Sequence, residues 1–508
     1  MTMPGRLRRT ARTTALAALL CGAAPAALAQ AITTAAPAAP SGISQEQALS
    51  LAARLDALEK RNDELEAQVS DLKAQVSAGE GAIREEVHSQ PSVSLANGRP
   101  AFASADGNFK FALRSVVQFD AAHYDVKPLT TANDLGSGTN FRRARLGFDA
   151  TAYKDWNIAL WGEFGGSGGE SAVLNQAFVE YAGWKPFGLT EPLRLRAGAW
   201  ATPTGLEDAT SNTDSLFLER PAAAELVRNL AGGDGRTGAG AFAKGERWYA
   251  GAVLTGKVVG VPSTPEFSQQ SGYILRVAYS PLHGSDYDTH LGASLQGVLE
   301  PADTAAGPVE VQAVRLQERP EIRVSGTRLV DTGPIASNGL KAIGLEAGAS
   351  WKNLYAAGEW FKIDVSRTAV GAAPSPFDPS FTGWYLQGAW TLTGERHVWS
   401  SANGGFNGIR PARPFSLQNG GWGALEVAAR YSLLDLNDRA GAAGAVAPLG
   451  AIRGGEQKIS TLGLNWYPNS VVRFLLDYQW INVERLNSAG APIGADVNVV
   501  SLRSQFAF

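Results

Sequence analysis

Cysteine is almost missing from this chain. Of 508 residues only Cys21 is one, which excludes a disulfide framework. Charge is also scarce, at 18%, and a formal net value of −3 excludes bulk attraction to nucleic acid. Beyond residue 29 no stretch approaches 18 apolar residues without a polar break, which excludes a transmembrane helix. The histidines, His88, His123, His283, His290 and His397, show no metal-ligand spacing, so neither a metal nor another cofactor is expected. What the chain does have is 57 Gly, 13 Trp, 12 Tyr and 20 Phe. Glycine at that level suits tight turns and bent strands better than long helices.

The N-terminus carries Arg6, Arg8, Arg9 and Arg12, then a short apolar run from Ala15, then Ala27-Leu28-Ala29. This is the pattern of a secretory signal over 1–29, cleaved after Ala29. A lipoprotein reading needs a small residue before Cys21, where Leu20 stands. The mature chain is therefore expected to be exported and free of cysteine. Residues 30–44 read as an Ala/Pro spacer. Over 45–78, Leu51, Leu55, Leu58, Leu65, Val69, Leu72 and Val76 fall at alternating four- and three-residue steps, with Asn62 completing the seam. That spacing predicts an α-helical coiled coil ended by Gly79 and Gly81. The stripe is too narrow for a helix lying on its own domain, and no nearby segment pairs with it, so self-association is expected.

Residues 79–107 read as a polar linker, and from 108 to 508 the apolar period becomes two. In "FKFALRSVVQFD", Phe109, Phe111, Leu113, Val117 and Phe119 oppose Lys110, Arg114, Gln118 and Asp120. In "VVRFLLDYQWI", Val472, Phe474, Leu476, Tyr478 and Trp480 oppose Arg473, Asp477 and Gln479. The closing "SLRSQFAF" sets Val500, Leu502, Phe506 and Phe508 against Ser501, Arg503 and Gln505. Roughly sixteen such strands, divided by Gly, Pro and Asn turns, predict an all-β antiparallel domain. Aromatic pairs at strand ends are expected to form interfacial girdles: Tyr153/Trp156, Trp248/Tyr249, Trp384/Tyr385 and Trp466/Tyr467. They favour a barrel with its oily face to lipid, which must close because open edges in hydrocarbon leave backbone groups unpaired.

The segments "FRRARLGFDATAYKDWNI", "GLEDATSNTDSLFLER", "GWYLQGAWTLTGE", "GALEVAARYSLLDL" and "TLGLNWYPNSVVRFLLDY" resemble the phosphate-selective porins O and P of Gram-negative outer membranes. The resemblance covers nearly all of 108–508. It implies a 16-stranded antiparallel transmembrane β-barrel, assembled as a homotrimer in outer-membrane lipid, whose lumen passes small anions. Phe508 resembles the terminal signal read by the barrel-assembly machinery, although Ser504 stands where a larger apolar residue is commoner. The coiled coil occurs in some relatives and would lie in the periplasm, where it could also reach the cell wall.

Anion passage needs fixed positive charge, and arginine binds phosphate or carboxylate through a fork that stays charged. The chain has 33 Arg to 12 Lys. Wet strand faces carry Arg114, Arg143, Arg145, Arg194, Arg196, Arg276, Arg430, Arg473 and Arg503 against fewer acids, predicting a basic lumen. In the phosphate-selective members an arginine ladder lines the pore and an inward loop adds Lys and Ser. The resemblance carries ladder positions to Arg142 and Arg143 of "FRRAR" and to Arg319 of "QERPEIRVSG". Gln317, Glu321 and Ser325 stand where further ladder arginines occur, with Arg323 a candidate to compensate. Asp208, Asn212 and Thr213 fall at the constriction-loop stretch, so a repelling Asp replaces an attracting Lys and phosphate preference should be weak. Should phosphate bind tightly all the same, Arg323, Arg328 or Arg236 would complete the site. Two catalytic-looking strings, "GGSGG" around Ser167 and "GDGRTG" at 233–238, lack the helix that either motif requires. A barrel enzyme and a structural link between membrane and cell wall are the rival readings.

Overall fold

The computed structural model describes residues 44–131, 133–166, 174–260, 268–303, 312–368 and 377–508. The expected signal segment, all of the spacer but Ser44, and Ser167 lie outside the described residues. The chain divides near Val87 into two units.

The first unit contains helix α1, Gln45–Ser89. It runs past Gly79 and Gly81, where the sequence predicted an end. A helix-interior glycine costs only about 1 kcal/mol against alanine, and the "AIREEV" that follows is a good helix former.

The second unit is a closed antiparallel barrel of 16 strands. In order they are β1 Lys110–Lys127, β2 Gly138–Ala152, β3 Trp156–Glu163, β4 Leu174–Trp184, β5 Leu193–Trp200 and β6 Arg236–Lys244. There follow β7 Trp248–Val258, β8 Ser271–Tyr279, β9 Tyr287–Glu300, β10 Val330–Trp351 and β11 Leu354–Arg367. The last are β12 Ser380–Thr391, β13 Ala424–Asp438, β14 Ile452–Tyr467, β15 Val472–Glu484 and β16 Ala495–Ala507. Each pairs with its sequence neighbours, and β16 closes on β1 from Asp496↔Lys127 to Ala507↔Val116. Phe508 exchanges backbone hydrogen bonds with Ser115 at 3.1 and 3.2 Å, so the last residue is held in the seam. Short strands Ser92–Ser94 and Ala101–Ala103 continue the sheet beside the start of β1, within the stretch expected to be a linker.

The period of two sets the two faces. On β16, Val500, Leu502 and Phe506 face out while Ser501, Arg503 and Gln505 are buried inside. The same alternation corrects the girdle expectation. Adjacent strand residues point to opposite faces, so Tyr249, Tyr385 and Tyr467 are buried inside the barrel beside their tryptophan neighbours. Tyr153, Trp156 and Trp384 do face out.

The interior is not uniformly wet. Residues 201–235, between β5 and β6, fold inward and contain α2, Leu206–Ala209, and α3, Ala222–Ala231. Leu226, Val227 and Leu230 of α3 are buried against the inner wall, in one cluster with Leu340, Phe361, Ile363, Phe381 and Leu434. Each such side chain contributes about 1.5–3 kcal/mol of apolar burial. Gly383 permits the approach, since a Cβ there would lie 2.6 Å from the Cβ of Ala223. The segment 301–329 adds Leu316, Ile322 and Leu329 to this cluster. The segment 392–423 places Trp399 and Phe406 against Leu206 and Phe217 at the end bearing the C-terminus.

Candidate functional site

Two interior cavities remain beside this apolar filling. The one toward the longer loops has a volume of about 560 Å³, and the one toward the C-terminal end about 440 Å³. Arg145, Arg228 and Asp234 line both, so the cavities adjoin at these three residues.

The wall at this joint comes from β2. Strict alternation would bury only one of two adjacent arginines. Between Gln118↔Arg143 and Phe119↔Phe141 the register shifts by one residue, leaving Arg142 as the extra one. A bulge of this kind re-aims side chains, and Arg142, Arg143 and Arg145 are all buried inside. The loop side is positioned by the wall opposite. Glu359 of β11 accepts the backbone N–H groups of Leu206 at 2.7 Å and Glu207 at 2.9 Å, fixing the start of α2. Gly205 makes room, since a Cβ there would meet the Glu359 carboxylate at 2.1 Å. Glu321 accepts the N–H of Ala222 at 3.2 Å, doing for α3 what no N-cap side chain does.

Charges from wall and loop interlock. Arg145 donates to Glu163 at 2.6 Å and to Asp234 at 2.8 Å. Arg228 donates to Asp208 at 2.6 Å and also pairs with Asp234. Arg142 and Arg503 share Glu219 at 2.8 and 2.7 Å, and Arg503 also holds Asp120 through both fork nitrogens at 2.7 Å. Arg323 lies 3.1 Å from Glu225. Burial alone would push the Glu225 carboxyl up, but Arg323, Arg228 and Arg220 outweigh it and bring it down to about 2. Glu219 and Asp234 likewise lie well below the carboxylate range, because the arginines around them overcome their burial.

The expectation of a broadly basic interior is corrected. Among the described residues, twelve arginines and thirteen carboxylates are buried. Acids on loops and on unquoted strand positions, such as Glu180, Glu219, Glu225 and Glu346, supply the balance. The cavity linings differ from this average. Among the described residues the upper has nine arginines to four carboxylates, the lower seven to three, and neither has a lysine. Some of that charge has no carboxylate ion-pair partner among the described residues. Arg143 donates to Gln118 Oε1 at 2.6 Å, and Arg236 to the carbonyls of Gly232 and Gly256. Arg473 donates to the Thr213 carbonyl at 3.2 Å, while its Nε and Nη2 are buried without a hydrogen-bond partner among the described residues.

Of the residues singled out in the sequence, Arg142, Arg143, Arg145, Arg319 and Arg323 line the upper cavity. Arg114, Asp208, Asn212 and Thr213 line the lower, with Arg114 held by Asp149 at 2.8 Å. Arg194 and Arg196 line neither. Arg196 pairs with Glu180 at 2.7 Å and stacks 3.9 Å over Phe178, so its charge is satisfied in the wall. Asp208 is no bare repelling group, since Arg228 holds it and Arg220 lies 3.5 Å away. Sequence reasoning missed Arg220, Arg228 and Asp234. The amphipathic stretch "AAAELVRNLA" was the available signal of a packed helix carrying charge at its C-terminal turn.

A closed 16-strand barrel with lipid-facing apolar residues and a constricted polar interior defines a porin-type channel of the outer membrane. The chain belongs to the family of phosphate-selective porins O and P, whose model matches residues 109–508. It is 24% identical over 425 residues to Porin O of Pseudomonas aeruginosa, covering 80% of this chain and 90% of that one. It is 26% identical over 435 residues to an uncharacterised protein of Caulobacter vibrioides, covering 80% and 78%. Among solved structures it is similar to the anion-selective porin from Comamonas acidovorans, at 15% identity and a TM-score of 0.43, over 79% of this chain and 100% of that one.

Proposed function

We propose that the protein is a diffusion channel passing small anions, phosphate and other inorganic or organic anions among them. On this reading they cross from one arginine-lined cavity to the other past Arg145, Arg228 and Asp234. The observation that carries it is the contrast in charge. Among the described residues the buried interior is balanced, whereas the cavity linings hold arginine over carboxylate by nine to four and seven to three. Arginine forks offer such anions parallel N–H donors while keeping their charge. The charge most available to a passing anion belongs to Arg143, Arg236 and Arg473, which form no ion pair with a carboxylate among the described residues. Reversal potentials in planar bilayers test this. Arg143→Gln with Arg236→Gln should lower anion over cation preference severalfold. Arg194→Gln should not, because Arg194 also lacks a carboxylate partner among the described residues but lies outside both cavities. Equal effects from the two sets would refute a path through these cavities.

A further inference from the structure

The apolar stripe on α1 is exposed. Leu51, Leu55, Leu58, Leu65, Leu72 and Val76 each leave half or more of their surface uncovered. Burying such a stripe needs another helix, and the flanking charges state which one. The steps of the seam put Leu55, Asn62, Val69 and Val76 at heptad position a, and Leu51, Leu58, Leu65 and Leu72 at d. Arg54 and Arg61 then fall at g, and Glu59 and Glu66 at e, five residues further on. In a parallel coiled coil, each g residue faces the e residue of the following heptad on its neighbour. Two copies of this helix running the same way therefore set Arg54 against Glu59 and Arg61 against Glu66. Running in opposite directions they would set g against g and e against e, Arg to Arg and Glu to Glu. Neither Arg54 nor Arg61 has an ion-pair partner among the described residues.

We infer that α1 binds α1 of further copies of this chain as a parallel, in-register coiled coil. Asn62 fixes the register, because a buried amide at one a position pairs well only with its own layer, at a cost in stability. The inference does not depend on the anion reading.

The test uses the full chain with Cys21→Ala and one added cysteine, cross-linked under mild oxidation and read on a non-reducing gel. Leu51→Cys and Val76→Cys should each cross-link to themselves, since equivalent seam positions of parallel neighbours come within disulfide reach. Lys60→Cys, at an outward f position, should not. Adding Arg54→Glu with Arg61→Glu should slow the Leu51→Cys cross-link severalfold, and adding Glu59→Arg with Glu66→Arg should restore it. Cross-linking only in a mixture of Leu51→Cys and Val76→Cys chains would show an antiparallel pair and overturn the inference. Seam variants that react no faster than Lys60→Cys would overturn it too.

Discussion

Arg145 on the wall and Asp234 on the inward loop meet at 2.8 Å, and each lines both cavities. The contact ties the loop to β2 at the joint between the two spaces. Arg145→Gln should weaken the tie and remove a positive charge from the joint, shifting the reversal potential toward cations. Arg145→Lys keeps the charge but loses the fork that spans Glu163 and Asp234, so it should keep most of the preference. A Gln variant with unchanged permeability ratios would show that Arg145 only anchors the loop.

The pairing of Asp208 with Arg228 changes the expectation for this carboxylate. Asp208→Asn raises the net charge of the lower cavity by one unit without adding bulk. At about 6 Å and an effective dielectric near 20, one charge is worth roughly 2.5–3 kcal/mol before screening. With that halved by salt, inhibition of chloride current by added phosphate should still strengthen about tenfold. Asp208→Lys is expected to behave differently, as a third cation beside Arg220 and Arg228 that loosens the loop and makes the current noisy. No gain in phosphate inhibition from the Asn variant would mean that anions do not pass near α2.

The loop carboxylates give a pH dependence of fixed sign. Glu225 is held at about 2, and Glu219 and Asp234 are also depressed. Carboxylates depressed in the folded state stabilise it fully above their unfolded values of about 4, and the contribution fades as pH falls toward the folded values. The loop should stay docked at pH 5 and above and loosen between about pH 4 and 2. Protease cleavage within 201–235 and current fluctuations both report this. A loop that loosens between pH 7 and 5 would contradict these ion pairs.

The outer wall was legible in the sequence because its rule is local. Lipid on one side of a strand enforces a period of two, and Val500, Leu502 and Phe506 show it within a few residues. The bulge at Arg142 breaks that rule, and only the resemblance of "FRRAR" to the family motif gave both arginines an inward role. The charge pairing was not legible. Arg142 finds Glu219 77 residues away, and Arg503 finds Asp120 across 383 residues, where barrel closure joins β16 to β1. No local pattern marks such partners, so the strand faces showed Arg503 and Asp120 without pairing them, and the loop acid Glu219 went unseen. The apolar inner wall was hidden for a related reason. Phe361 and Phe381 lie on the inward faces of strands that α3 packs against, and the period of two does not say which face a filled interior will make oily.

The filling by α3 also gives the barrel a one-sided dielectric. On the proposed path an anion would have packed hydrocarbon behind the loop and guanidinium groups along β2. Low-dielectric walls focus field lines into the remaining space. A sphere of 560 Å³ is roughly 10 Å across, hardly wider than the Debye length of about 8 Å at physiological ionic strength. A counter-ion cloud of ordinary thickness has no room to form there. Selectivity set in such a space should survive salt concentrations that erase the same charges' influence on an open surface.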